Sequence, residues 1–445
     1  METLLTQYNP HWQNNRPYQL IFRARYCREI MELAGRREIT VLKGIRRSGK
    51  SSLLKLAVNE LLQQGTPPEN ILFMNLEDYR LGGEKTLETL DQIYQAYRQM
   101  HAPEGRIYLL FDEIQEIPGF EKWLRTHYEQ NEQLKFMITG SSSSLFSREL
   151  ATLLTGRQVS LEIFPFSFRE YLDYRDSAIL ADLNRQDIDA LYLSPMFKRI
   201  EPLLRRYLDQ GGFPEMLKNE NGAGNILALQ QYISDIILRD IAQRYNIRKI
   251  EVLQKLTLYL IFNMSNFINI TRIAELVGSN RTTVLELLAY LKEVYMLFTA
   301  GSFSFSPAEQ LNTTKAKKVF CVDNGFFAAI NTDMKKDFAK KMRNLVFQHL
   351  RFQWGKELFY WKDKAEIDLV LPDGYPVQVA INEGEIERAV SNLFYYLNQH
   401  NQPRGLLVSW NKLQILEENE RTVVICPLWI FLSKDENEVR GYGSD

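Results

Sequence analysis

Cysteine is scarce in this chain. Cys27, Cys321 and Cys426 are the three present in 445 residues, and they are scattered and odd in number. That pattern excludes a disulfide framework or a zinc-finger spacing and predicts reduced thiols in a cytoplasmic protein. The five histidines show no metal-ligand spacing. Charge of one sign is also lacking: 54 basic and 55 acidic side chains leave a net −1. No bulk positive field advertises nucleic acid, although a near-neutral total leaves room for a local basic patch. The longest apolar run, Leu256 to Phe262, is far too short to span a bilayer. The polar start METLLTQYNPHWQNN has no signal-peptide core. Low-complexity tracts and internal repeats are missing.

What is there has the composition of a globular protein, 45% hydrophobic and 24% charged, at a length that implies about two to four domains. Between residues 25 and 170, β-rich runs (EITVLKG, ILFMNLE, RIYLLFDE, LKFMITGS, RQVSLEIFPFS) alternate with helical stretches. That alternation predicts an α/β domain with a parallel sheet. From Ser167 to about Gln310 the pattern turns almost wholly helical, and strand character returns in KKVFCVD and after about Lys356. The expected segments are 1–24, 25–170, 171–225, 226–335 and 336–445.

Gly44-Ile45-Arg46-Arg47-Ser48-Gly49-Lys50-Ser51 satisfies G-x-x-x-x-G-K-[ST]. Glycines let the backbone curl so that N–H groups point at phosphate oxygens. Lys50 neutralises the β- and γ-phosphates, and the Ser51 hydroxyl ligates Mg2+. Arg46, Arg47, Ser48, Gly49 and Ser52 complete the expected nucleotide loop. An apolar run precedes it, and a helix from Ser51 to about Gln63 follows, with Gly65 as its stop signal.

Ile107 to Glu113 reads as a buried strand ending in two acids. At the carboxyl end of a parallel strand, Asp112 would hold the Mg2+ shell and Glu113 would deprotonate the attacking water. The next strand runs into Thr139-Gly140-Ser141-Ser142, where Ser141 or Ser142 would bond the attacking water or the γ-phosphate. Glu113 beside Asp112 suits water activation better than transfer to a small-molecule acceptor. The guanine-specifying N-K-x-D is absent, because Asn411-Lys412-Leu413-Gln414 ends in the wrong residue far outside the domain. ATP with Mg2+ is the expected ligand pair.

The series GIRRSGKSS, LLFDEIQ, ITGSSSSL, LLTGRQVSLEIFPFSFREYL and LDQGGFPEM resembles a family of predicted bacterial and archaeal AAA-type ATPases. In that family the ATPase module is followed by a winged helix and a restriction-endonuclease-like module. The resemblance implies an ATPase core over 25–170, a helical lid over 171–225, a winged helix over 226–335 and a nuclease-like domain over 336–445. It also implies that Arg157, with Arg148 in reserve, acts as an arginine finger on a neighbouring subunit in a homo-oligomer. Gly211-Gly212-Phe213-Pro214 looks like the family's lid element, in which a helix starting at Pro214 aims its positive end at nucleotide.

Ile270 to Phe298 reads as helix–turn–helix, with Thr271 capping a short helix, Gly278 breaking it, and Ser279 or Asn280 capping the next. The second helix buries Val284, Leu288, Leu291 and Tyr295 and presents Asn280, Arg281, Thr282 and Thr283 as DNA-contacting candidates. Lys315, Lys317 and Lys318 fall in the expected wing, where they would touch phosphates or merely solvate a hairpin. The tail resembles a PD-(D/E)XK-type nuclease. Asp368 matches its first acid, but Gln378 and Ala380 stand where the E-x-K is expected. Gln is a poorer Mg2+ ligand and Ala offers no cation. Glu366 and Asp368 make a meagre metal site that Glu383 and Glu385 are wrongly spaced to help, so a nuclease-like fold without its chemistry is expected. It would serve to bind DNA or a protein partner. The alternative is an ATP-regulated, metal-dependent DNA nuclease.

Overall fold

Five aliphatic runs form the sheet of the first unit: β1 (Ile39–Lys43), β2 (Ile71–Asn75), β3 (Ile107–Asp112), β4 (Leu134–Thr139) and β5 (Gln158–Glu162). The computed structural model describes residues 1–14, 17–140, 156–218, 222–306, 315–331 and 337–443. It divides into two units, Met1–Phe164 and Pro165–Asp445. In the first, every strand pair is parallel and the order is β2-β3-β4-β1-β5.

Both faces of this sheet are covered, which is why its strands read as unbroken apolar runs rather than alternating ones. Leu42, Phe73, Leu110 and Met137 face the helices Ala24–Ala34 and Lys50–Gln63, meeting Tyr26, Ile30, Leu53, Leu54 and Leu61. Val41, Met74, Phe111 and Ile138 face the other way, onto Leu5, Ile93, Tyr97 and Trp123. The helices Glu2–Tyr8, Leu87–His101 and Phe120–Gln130 supply those partners.

The outer edge of β2 is satisfied by side chains instead of another strand. Asn9 accepts from Phe73 N at 2.7 Å and donates to Phe73 O at 2.9 Å, and Trp12 Nε1 donates to Ile71 O at 2.9 Å. The N-terminal segment thereby blocks an edge that would otherwise invite another strand.

The second unit is helical from Phe168 to Phe262 apart from short connections. Its sheet contains nine strands among the described residues: β6 (Phe267–Ile268), β7 (Leu297–Ser302), β8 (Lys317–Cys321), β9 (Phe359–Lys362), β10 (Glu366–Val370), β11 (Pro376–Ala380), β12 (Arg404–Ser409), β13 (Gln414–Glu418) and β14 (Arg421–Pro427). The order is β13-β14-β12-β11-β10-β9-β7-β8-β6, with mixed directions. β7 joins β9 in parallel through Gly301↔Phe359 and Ser302↔Tyr360, so strands from the expected segments 226–335 and 336–445 share one sheet. β6 and β7 are strands inside the stretch that the sequence pattern renders as almost wholly helical.

Within the helix–turn–helix, Asn269 caps the helix Ile270–Val277 by accepting from Arg272 N at 3.1 Å. The expected cap Thr271 instead lies inside that helix, because the chain turns helical one residue earlier. Gly278 ends it in the left-handed conformation, and Asn280 caps Arg281–Glu293 by accepting from Thr283 N at 2.8 Å. Val284, Leu288, Leu291 and Tyr295 are buried as the stripe predicts. No helix among the described residues is long and apolar enough to cross a membrane.

Candidate active site

The phosphate loop leaves the carboxyl end of β1 and is bent by three positive φ angles: Gly44 at 153°, Arg47 at 66° and Gly49 at 98°. Gly44 packs so tightly that a Cβ there would lie 2.1 Å from Ile163 O, which leaves glycine as the residue that fits. Arg47 holds a left-handed conformation without being glycine, a cost of about 1–3 kcal/mol of the kind that collects at functional loops. Gly49 then starts the helix Lys50–Gln63, with Leu53 N donating to Gly49 O at 2.9 Å. The helix stops at Gln63, and Gly65 follows with φ 86°.

Lys50 is buried, and its ammonium donates to Gly44 O and Ile45 O, each at 3.0 Å, which pins it across the loop. Arg23 braces the loop from outside, donating to Ser48 O at 3.1 Å while its guanidinium stacks 4.4 Å from the Tyr26 ring. The Ser48 hydroxyl is buried with no hydrogen-bond partner. An orphaned buried hydroxyl is costly, and a phosphate oxygen held in the loop would satisfy it.

Strand order decides what else reaches this edge. The registers Asn75↔Asp112, Phe111↔Ile138 and Leu42↔Thr139 bring the carboxyl ends of β2, β3, β4 and β1 into one row. Asp112, 1% exposed, accepts from Ser51 Oγ at 2.9 Å and from Thr139 Oγ1 at 2.5 Å, and Asn75 Nδ2 lies 3.4 Å from its other oxygen. Burial pushes the Asp112 carboxyl above the usual carboxylate range; the Thr139 bond opposes this, the Glu113 charge adds to it, and Ser51 and Lys50 pull it back.

Glu113 follows in the left-handed conformation, φ 55° and ψ 51°. Its N–H donates to Thr139 Oγ1 at 3.0 Å, and its carboxylate accepts from Gln115 Nε2 at 2.6 Å. The Thr139 hydroxyl therefore joins both acids, giving to one and receiving from the backbone of the other. Residues 36–172 match the family model of the AAA domain.

Residues 201–337 match the model of a domain of unknown function. An uncharacterized protein of Haemophilus influenzae is 29% identical over 388 residues, covering 84% of this chain and 90% of its own length. One from Methanocaldococcus jannaschii is 28% identical over 345 residues, covering 75% and 72%. Among solved structures, a Walker-type ATPase of Pyrococcus abyssi is 18% identical, with 71% of this chain and 98% of that one covered and a TM-score of 0.44. AMPPCP-bound DnaA of Aquifex aeolicus is 16% identical, with 64% and 92% covered and a TM-score of 0.29.

The first unit thus brings Gly44 to Ser52, Asp112 and Glu113 to one edge. Sequence reading passed over Thr139 and Asn75 as functional residues. Their one signal was position, a polar side chain closing each apolar strand. Ser141, Ser142 and Arg148 lie outside the described residues. Arg157 sits elsewhere: Ile39 N donates to its carbonyl at 2.8 Å, which puts it at the amino end of β1, about 13 Å along the strand from the phosphate loop. Its guanidinium pairs with Glu129 at 2.9 Å.

In the second unit, Pro214 begins the helix Pro214–Lys218, and buried Asp323 accepts from Gly212 N at 2.7 Å just before it. Lys318 is not a phosphate-facing wing lysine. It is 3% exposed, 2.9 Å from Glu366 and 3.3 Å from Asp368, because β8 turns it inward. Arg343 lies 3.6 Å from Asp368, and Gln378 bonds the Asp368 N–H and the Glu366 carbonyl. No cluster of three or more metal-ligating residues occurs among the described residues.

Proposed function

We propose that the first unit binds ATP with Mg2+ and hydrolyses it, and that nucleotide state governs how the second unit presents a surface for DNA or a protein partner. One observation supports this most: Ser51, Asp112, Thr139 and Glu113 meet beside the phosphate loop at one sheet edge. The loop N–H groups, with Arg46, Arg47, Ser48, Gly49 and Ser52 around them, cradle the phosphates, and Lys50 turns its ammonium from the loop carbonyls to the β- and γ-oxygens. Ser51 and Asp112 form the hard oxygen donor set that suits Mg2+. When bound, Mg2+ neutralises charge building on the phosphate oxygens. Glu113, freed by its left-handed backbone from the line of β3, takes the proton of the attacking water.

Arg157 serves only from a neighbouring copy, since it sits at the far end of β1 from its own loop. The nuclease alternative is disfavoured because the Lys318 ammonium stands between the two carboxylates a metal would need.

Phosphate release with Mg2+ and ATP tests the reading. It is expected to collapse in Lys50→Ala and in Glu113→Gln, with nucleotide still bound by the latter. Normal turnover in Glu113→Gln would show that another group is the base. Mixing Lys50→Ala with Arg157→Ala subunits restores turnover if sites are shared, and no rescue at any ratio removes Arg157 from the mechanism. Plasmid incubated with Mg2+ or Mn2+ stays uncut; nicking abolished by Asp368→Ala would revive the nuclease.

A further inference from the structure

Two adjoining hollows open on the helix–turn–helix side of the second unit. The first, about 570 Å3, is lined by Asn269, Thr271, Arg281, Leu285, Lys315 and Lys317 among others. The second, about 470 Å3, shares Asn269 and Lys315 and adds Phe267, Ser302, Tyr360 and Lys362. Four cations therefore line a continuous depression on a chain whose net charge is −1, and no carboxylate lines either hollow among the described residues. Glu366 and Asp368 are both paired with buried Lys318, and Lys362 lies 3.4 Å from Glu366. The capped starts of the helices Ile270–Val277 and Arg281–Glu293 add the positive ends of two helix dipoles.

The sheet explains why the second hollow exists. Pairing of Ser302 with Tyr360 carries the sheet from β7 into β9, and β9 ends on Lys362. A lysine some forty residues beyond the wing strand in sequence thus lines the same depression as Lys315 and Lys317.

The chemistry fits a polyanion, and its shape favours duplex over single-stranded nucleic acid. Binding of single strands relies on aromatic faces free to stack on bases. Here the Phe267 ring has the Lys318 and Lys362 ammonium groups 5.0 and 4.8 Å from its centre, and buried Tyr360 donates its hydroxyl to Ala316 O at 2.5 Å. What stays exposed is the start of a helix bearing Arg281 and Thr282, flanked by lysines. That arrangement is suited to entering a groove between two phosphate backbones.

We propose that the second unit clamps duplex DNA, with the start of the helix Arg281–Glu293 in the major groove and Lys315 and Lys317 of the wing and Lys362 of the C-terminal sheet on the flanking phosphates. The proposal rests on the DNA reading given above and adds the C-terminal sheet to the binding surface.

The test is fluorescence anisotropy of the full chain with a labelled duplex of about 30 base pairs, and with one of its strands, from about 50 to about 200 mM salt. Three phosphate contacts predict a log–log slope near −2.7, about a 40-fold loss of affinity across that range. Lys362→Ala and Lys315→Ala are each expected to flatten the slope by about 0.9, whereas Lys362→Arg and the control Lys255→Ala, at a residue that lines neither hollow, leave it unchanged. Duplex binding whose slope ignores Lys362→Ala overturns the clamp while leaving DNA binding intact. No duplex binding at the lowest salt overturns both. A single strand bound as tightly as the duplex overturns the assignment to duplex DNA.

Discussion

Replacing Thr139 with valine removes one hydroxyl and little volume, at a fully buried site that touches both acids of the candidate active site. Two effects follow. Asp112 loses a bond donated to its carboxylate, of a class that contributes about 1.5–3 kcal/mol, and the Glu113 N–H loses its acceptor inside the protein, at about 1–3 kcal/mol. The second loss falls on the backbone that aims Glu113. If about 2.7 kcal/mol of this appears only when water is attacked, kcat falls about 100-fold. Nucleotide affinity should stay within about threefold, since Lys50 and the loop amides are untouched. Thr139→Ser keeps the oxygen and should retain most of the rate. Single-turnover phosphate release and fluorescent-nucleotide titration of the three proteins measure this. Unchanged kcat in Thr139→Val refutes the positioning role, and a serine variant as slow as the valine one would shift the explanation to packing of the methyl group.

Two further outcomes follow from the second unit. Lys318→Met leaves Glu366 and Asp368 without their buried cation; since the carboxylates keep side-chain exposures of 37% and 17%, the low end of the range for a broken buried pair applies, about 3 kcal/mol. Chemical denaturation measures it, and a loss under about 0.5 kcal/mol refutes the pairing. Burial raises the Asp323 carboxyl from 3.8 to about 7 against hydrogen bonds from the Gly212 and Gly325 amides. The folded state then holds the proton more tightly than the unfolded chain. Its contribution is full below about pH 4 and is lost as pH rises through about 7. Thermal melting should therefore fall more steeply over that window in the native protein than in Asp323→Asn, and equal slopes would contradict the assignment.

The sequence alone determined whatever is written in consecutive residues. The phosphate loop, the strands before and after it, the helix stopping at Gly65 and the acid pair closing β3 each follow from local pattern, because glycine φ freedom, apolar runs and capping act within a few residues. The buried stripe of the helix Arg281–Glu293 was equally legible. Strand order was not. Tertiary structure placed β4 between β1 and β3, and so put Thr139 against Asp112. It set Arg157 at the opposite end of β1 from its own phosphate loop. It also turned Lys318 inward onto Glu366 and Asp368 and ran β7 into β9, bringing Lys362 beside the wing. These contacts join residues far apart in the chain, and the free energy of burying both sheet faces and pairing those charges, which no local window contains, decides them.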